Sequence, residues 1–306
     1  MTARAWLVAA AVAASAAPAA AQEALAWKLD GPTYLEVTQQ VDTTIKVLGQ
    51  TQEKALSTRF VFRLAPATNA DDAAGPVLNG VVQSVRFKDS DDKVDDPILN
   101  LKGGRFKVAL GVGHRKVAVT GAAGLVDSTF GDAARNATAD ERRFMKTILD
   151  VLLQTQVEEA HLPVTAAPAE PGATWKHTTR MEVASLAAVK LDKTYKVLGR
   201  VVMDGKPLVA IGLTARPTVA APESETPALP FRVTAVKEVG RSRYEGTVYW
   251  DPAAGRPHRV DVTTRMSFDM TVTTNGQEFT GAATEVRSMT FRFHATNPDT
   301  PAARVD

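Results

Sequence analysis

The stretch Val260-Asp261-Val262-Thr263-Thr264-Arg265-Met266-Ser267-Phe268-Asp269-Met270-Thr271-Val272-Thr273-Thr274-Asn275-Gly276-Gln277-Glu278-Phe279 decides the fold. Val260, Val262, Met266, Phe268, Met270 and Val272 alternate with Asp261, Thr263, Arg265, Asp269, Thr271 and Thr273, a period of two that belongs to a strand with one face on a core. Asn275-Gly276 is the strongest two-residue hairpin signal, because both residues accept positive φ. A turn there sets Val272 opposite Phe279, Phe268 opposite Ala283, Val262 opposite Met289 and Val260 opposite Phe291. The apolar faces of the two strands then coincide, which supports the register.

The same alternation appears at the other end of the chain. Leu35, Val37, Val41, Ile45 and Val47 alternate with Glu36, Thr38, Gln40, Asp42, Thr44 and Lys46, and after Gly49-Gln50 the chain returns through Ser57 to Leu64 with Phe60 and Phe62 on one face. Further strands are expected at 80–88, 105–110, 116–120, 195–203, 207–214, 231–239 and 244–250. Short glycine-bearing turns at 111–114, Asp204-Gly205 and 251–255 favour antiparallel pairing over crossovers.

One segment breaks the pattern. Thr138-Ala139-Asp140-Glu141 is a capping box, and Phe144, Met145, Ile148, Leu149, Leu152 and Leu153 follow at helical spacing to about Val157. Pro163 and the small residues of 166–173 read as a linker, and 217–227 as an exposed loop. The expected architecture is mainly β: long curved antiparallel strands in one or two sheets, with one amphipathic helix on the concave side. The expected organisation is a first β half at 22–137, the helix at 138–160, the linker at 161–173 and a second β half at 174–306. The halves share short matches, Trp27-Lys28 with Trp175-Lys176 and Lys46-Val47-Leu48-Gly49 with Lys196-Val197-Leu198-Gly199, which suits either a duplication or the ordinary likeness of strand-rich segments.

Residues 1–21 read as a cleavable secretory signal. Arg4 is followed by an apolar run with Trp6, Leu7, Val8 and Val12, and Ala19-Ala20-Ala21 supplies the small residues of a cleavage site. Ser15 and Pro18 interrupt the run, which is shorter than the roughly 20 apolar residues a membrane anchor needs. The mature chain is therefore expected in the periplasm or outside the cell, with no membrane span.

Composition removes several classes of partner. The chain has 306 residues, 36 Lys+Arg against 34 Asp+Glu, and no cysteine. So even a charge balance gives no basic face for a phosphate backbone, so nucleic acid is not an expected partner. Disulfides, thiolate metal sites and thiol nucleophiles are impossible without cysteine.

Several short motifs resemble a domain-of-unknown-function family of secreted bacterial proteins. They are the Trp27-Lys28 strand start, Asp89-Ser90-Asp91, Leu101-Lys102-Gly103-Gly104-Arg105-Phe106, Val119-Thr120-Gly121, Gly172-Ala173-Thr174-Trp175, and Glu245 to Asp251 with Gly255. Together they cover nearly the whole mature chain, and each is structural in character, so the resemblance implies no reaction. In architecture alone the chain resembles periplasmic lipoprotein carriers, whose curved sheet wraps a helix and holds acyl chains.

Chemical motifs are sparse. Glu158-x-x-His161 supplies only one of the two such pairs a di-iron bundle uses, and it also reads as a polar helix end with its histidine on the helix dipole. Asp89, Asp91, Asp92, Asp95 and Asp96 crowd oxygen ligands into one loop and form a calcium candidate, but Lys93 stands where a third ligand belongs, and a solvated acidic loop explains them as well. No nucleophile elbow, S-x-x-K or H-E-x-x-H is present, and Gly111-Val112-Gly113 lacks the context of a nucleotide loop. No catalytic activity, cofactor or zinc site is expected.

What remains is an apolar face of Met266, Phe268, Met270, Phe279, Met289 and Phe291 on the C-terminal hairpin, with Phe144, Ile148 and Leu152 of the helix opposite. It reads either as ordinary sheet core or as a ligand pocket, since methionine suits variable apolar partners. Two functions follow as expectations: a non-catalytic carrier for an apolar ligand such as a lipid or acylated protein, or a structural or protein-interaction module of the cell envelope.

Overall fold

The first and last strands are neighbours, and their pairing joins the two expected halves into one sheet. In this computed structural model, which describes residues 25–47, 49–67, 75–89, 97–111, 117–161, 163, 170–183, 187–222, 232–240 and 242–300, β1 (Thr33–Val47) runs antiparallel to β12 (Gln277–His294), from Tyr34 opposite His294 to Val47 opposite Gly281. From β1 the sheet continues through β2 (Gln50–Pro66), β3 (Val77–Asp89), β4 (Arg105–Leu110) and β5 (Val117–Thr120). From β12 it continues through β11 (Arg256–Thr274), β10 (Arg243–Asp251), β8 (Lys206–Ala220), β7 (Ala187–Met203) and β6 (Thr174–Val183). The result is one open, curved, 12-stranded antiparallel sheet. β9 (Arg232–Glu238) pairs with the far part of β11, so β9 and β10 are two legs of one strand, interrupted where Gly240 takes φ +84°.

The C-terminal hairpin forms in the register the sequence sets, and the expected N-terminal hairpin forms as well. Val272 lies opposite Phe279, Phe268 opposite Ala283, Val262 opposite Met289 and Val260 opposite Phe291, around Asn275 and Gly276 with φ +49° and +75°. β1 and β2 pair from Thr33 opposite Leu64 to Val47 opposite Gln50. Where a core strand carries glycine, a neighbour fills the gap: the Phe106 ring of β4 covers Gly80 of β3, directly opposite it in register.

One strand was missed and one expected loop begins later. β6 was not among the expected strands, because His177 and Thr179, which follow Trp175 on its inward face, are polar and leave no alternation to read. β8 runs on through Pro217 to Ala220, so the first part of the expected 217–227 loop is strand; Pro217 sits opposite Leu191, beyond the last β8 residue that pairs with β10, where an absent N–H costs no ladder bond. Residues 223–231 and most of the expected 161–173 linker lie outside the described residues. The matched motifs of the two halves also occupy unlike places: Lys46-Val47 ends β1, whereas Lys196-Val197 is in the middle of β7.

The helix fills the opening of the sheet. Two one-turn helices, α1 (Val126–Phe130) and α2 (Asp132–Asn136), lead into α3 (Ala139–Ala160). The capping box forms, with the Glu141 amide donating to Thr138 Oγ1 and the Thr138 amide to Glu141 Oε2 at 2.7 Å. α3 touches both edge strands, β5 and β6. At the β5 edge the Gln154 side chain behaves as a strand would: its Oε1 accepts from the Val119 amide and its Nε2 donates to the Val117 carbonyl, both at 2.8 Å. Exposed edge groups that would pair with another chain are thereby satisfied. Leu149, Leu153, Val157 and Ala160 face the sheet and join its core, each large side chain contributing about 1.5–3 kcal/mol of burial. Among the described residues no helix is long and apolar enough to cross a membrane.

Candidate functional site

The Met/Phe face of the C-terminal hairpin is core. Met266 and Phe291 are 0 % exposed and Phe268 and Met270 1 %, Met289 is buried, and Phe279 packs against the same cluster. Of the helix residues expected opposite them, Leu152 packs against the core cluster from its margin, and Phe144 and Ile148 do not join it. Ile148 is 38 % exposed and Phe144 and Leu152 are half-buried, while Leu149, Leu153 and Val157 face inward. The physical reason is the helix's position: wedged between two edge strands, it turns toward the sheet a face displaced by about one residue from the one chosen. Charged residues at Phe268 or Met270 would therefore enter a closed core.

Of the acidic loop, Asp91, Asp92, Asp95 and Asp96 lie outside the described residues, as does the side chain of Asp89 at the end of β3. Among the described residues no group of three His, Asp or Glu side chains is placed to hold a metal ion.

A cleft opens instead at the end of the sheet where β1 begins and β10 turns into β11. Its walls are Leu35, Leu64, Leu78, Val108 and Leu110 from β1 to β4, with Val157 and Ala160 of α3. Trp27, in the segment before β1, roofs it: the ring stacks on His161 at 4.4 Å and meets the edges of Trp250 and Phe293 at 5.3 and 5.9 Å. The segment is tied to the β10–β11 turn by Lys28, whose amide donates to the Gly255 carbonyl at 2.8 Å and whose ammonium donates to the Ala253 carbonyl at 3.1 Å. Gly255 permits this approach, since a Cβ there would lie 2.4 Å from Lys28 Cγ. With Trp27 in place the cleft encloses a cavity of about 30 Å³, room for a water or two. Its polar lining is Thr33, His161 and Arg256, with no carboxylate.

Deeper in the sheet, one row of register partners carries polar side chains across the concave face. It runs Arg287 on β12, Thr264 on β11, Tyr244 on β10, Ala215 on β8, Lys193 on β7 and His177 on β6. The end of α3 brings Glu159 to this row: Lys193 Nζ lies 2.9 Å from both carboxylate oxygens, and the Tyr244 hydroxyl donates to Oε2. Lys193 Nζ also stands 4.8 Å above the Tyr244 ring. Burial, followed by the Glu159 charge, pushes the Tyr244 hydroxyl well above its ordinary range and raises Tyr195 likewise. Burial lowers His177, helped by the Lys193 charge, and burial raises Glu158 against a hydrogen bond from Gln154. Nearby, Gln156 donates to Gln39 at 2.7 Å, and Arg287 pairs with Glu285 at 2.8 Å.

Glu158-x-x-His161 thus splits, with His161 against Trp27 and Glu158 beside Gln154; its neighbour Glu159 carries the interior charge. Sequence reading passed over Glu159 and Lys193. A signal existed for Lys193, which occupies the inward phase of β7 between Leu191 and Tyr195, where an ammonium needs a buried partner. The interior pairing commits the ammonium and the Tyr244 hydroxyl to holding the helix end against the sheet.

No family model matches the chain, and no curated protein matches it. Among solved structures it is similar to a DUF1329 family protein from Desulfovibrio piger, at 11 % identity over 86 % of this chain and 88 % of that one, with a TM-score of 0.16.

Proposed function

We propose that this is a non-catalytic, exported binding or carrier protein for an apolar ligand, and that the ligand enters beneath Trp27 rather than on the Met/Phe face. The observation that supports this is the cleft itself: its walls are aliphatic from sheet and helix alike, and its roof is a chain segment lying outside the sheet. In this reading the ligand displaces Trp27 and lies along the aliphatic lining that includes Val108 and Val157. Native mass spectrometry of residues 22–306, purified gently from the envelope of its own cell, tests the reading. A stoichiometric apolar adduct recovered by organic extraction is the expected result.

The burial of Met266, Phe268, Met270, Met289 and Phe291 favours a second reading, a structural or protein-interaction module of the envelope. A clean unliganded mass, with a partner recovered by crosslinking, would replace the carrier reading by this one.

A further inference from the structure

We infer that the ligand is a single-chain carboxylate, a fatty acid, with Arg256 as the residue that receives its head group; this rests on the carrier reading above. The cleft walls ask for hydrocarbon, but its rim does not. Arg256 begins β11, lines the cleft and donates through Nη1 to Thr33 Oγ1 at 2.6 Å. Among the described residues no carboxylate pairs with it, in a protein where Arg59, Arg142, Arg259 and Arg287 each have one. A half-buried guanidinium beside an apolar cleft, with one neutral hydroxyl as its hydrogen-bond partner, has donors left over in a fork that matches a carboxylate. The cleft's other polar lining groups, Thr33 and His161, add a hydroxyl and an imidazole and no negative charge.

A single-chain tail is the smallest occupant of such a site. With Trp27 in place the cleft is small, and its lining includes Leu64 and Leu78 of the sheet and Val157 and Ala160 of a helix pinned at its end by Glu159. A chain entering there takes the volume that the Trp27 ring now covers, with its carboxylate at Arg256 and its methyl end toward Val108. Trp27 therefore changes environment when the ligand binds, and its fluorescence reports the event.

The test is calorimetric titration of the mature protein, stripped of lipid, with decanoate, decanol and decyltrimethylammonium below their aggregation limits. Decanoate is expected to bind with one site, at least tenfold more tightly than decanol, and the cation most weakly. Arg256→Gln is expected to bring decanoate down to the affinity of decanol while leaving decanol unchanged. Arg256→Lys, which keeps the charge and loses the fork, is expected to retain part of the preference; circular dichroism checks that both variants fold. Equal affinities for acid and alcohol, or a preference that survives Arg256→Gln, would overturn the head-group assignment and leave the carrier reading standing. Binding of none of the three amphiphiles would overturn both.

Discussion

Glu159 and Lys193 form an ion pair inside the curved sheet, with Lys193 Nζ 2.9 Å from each carboxylate oxygen, although one comes from the last turn of α3 and the other from the middle of β7. The pair ties the helix to the C-terminal part of the sheet, as Gln154 ties it to the β5 edge. Between them they hold α3 across the gap left by an open sheet, and that position shapes one wall of the cleft.

Removing one partner of this pair leaves a buried charge uncompensated. Lys193→Met is expected to cost about 3–5 kcal/mol, measured by urea unfolding. Replacing the whole cluster, with Glu159→Leu, Lys193→Met and Tyr244→Phe together, should recover most of that loss, because packed apolar groups leave nothing unsatisfied. A cost below about 1 kcal/mol for Lys193→Met would mean that Glu159 finds water in place of the ammonium.

On the convex side a second group of charges sets the acid limit of stability. The segment after β12 folds back so that Asp299 accepts from Arg59 at 2.7 Å and from the Ser84 hydroxyl; Arg59 also donates to Glu36 at 2.6 Å, and His294 lies 2.9 Å from the other Glu36 oxygen. The Ser84 hydroxyl, then Arg59, holds Asp299 below the usual carboxylate range; for Glu36 burial pushes upward, but the bonds from Arg59 and His294 outweigh it. Both folded pKa values therefore lie below their unfolded values of about 3.9 and 4.3. The stability they supply is present above that range and is lost as pH falls through the folded values. Asp299→Asn is expected to lower stability at pH 7 by about 1 kcal/mol and to flatten the fall below pH about 4, as read from urea titrations at several pH values. An unchanged acid slope would remove Asp299 from this account.

How much of this was legible depended on whether a residue's signal was local. The C-terminal hairpin was readable to the residue, because an Asn-Gly turn and one alternating run leave a single register in which Phe268 meets Ala283. The α3 cap was readable for the same reason. The pairing of β1 with β12 was not, since nothing in Leu35 or Phe293 names a partner more than 250 positions away. The packed face of α3 was read one step off: Leu152 lies at its margin, but Ile148 is as apolar as Leu149 and Leu153, and which of them turns inward is decided by the two edge strands. The site followed suit: methionines drew attention to a closed core, while the cleft is assembled from β1 to β4, α3 and the segment carrying Trp27.

Gly246 is a position where the sheet admits no side chain. It lies opposite Val262 between β10 and β11, and a Cβ built there would sit 2.3 Å from the Asp261 carbonyl oxygen and 3.2 Å from Val262 Cα. Both obstacles are backbone, which cannot rotate away. Gly246→Ala is expected to destabilise the protein by about 1–3 kcal/mol or more, seen as a lower urea midpoint, whereas Gly172→Ala, with nothing within 4 Å but a φ of +92°, should show the smaller cost of backbone strain alone. Equal effects would mean that β10 shifts to make room.

The Gln154 amide makes the sharpest prediction about the edge of the sheet. β5 is a four-residue edge strand whose outer Val119 N–H and Val117 C=O are both bonded to this side chain, so the helix occupies the place of a thirteenth strand. Gln154→Leu keeps the size and helix propensity of the side chain and removes both bonds, leaving a half-buried donor and acceptor at about 1 kcal/mol or more. Amide hydrogen exchange is expected to quicken at Val119 and in the β4–β5 pair, while the β11–β12 hairpin keeps its protection. Because an unpaired edge recruits other strands, the variant should also self-associate in sedimentation experiments at concentrations where the parent does not. Faster exchange without association would mean that the brevity of β5, rather than Gln154, is what keeps this edge from pairing between chains.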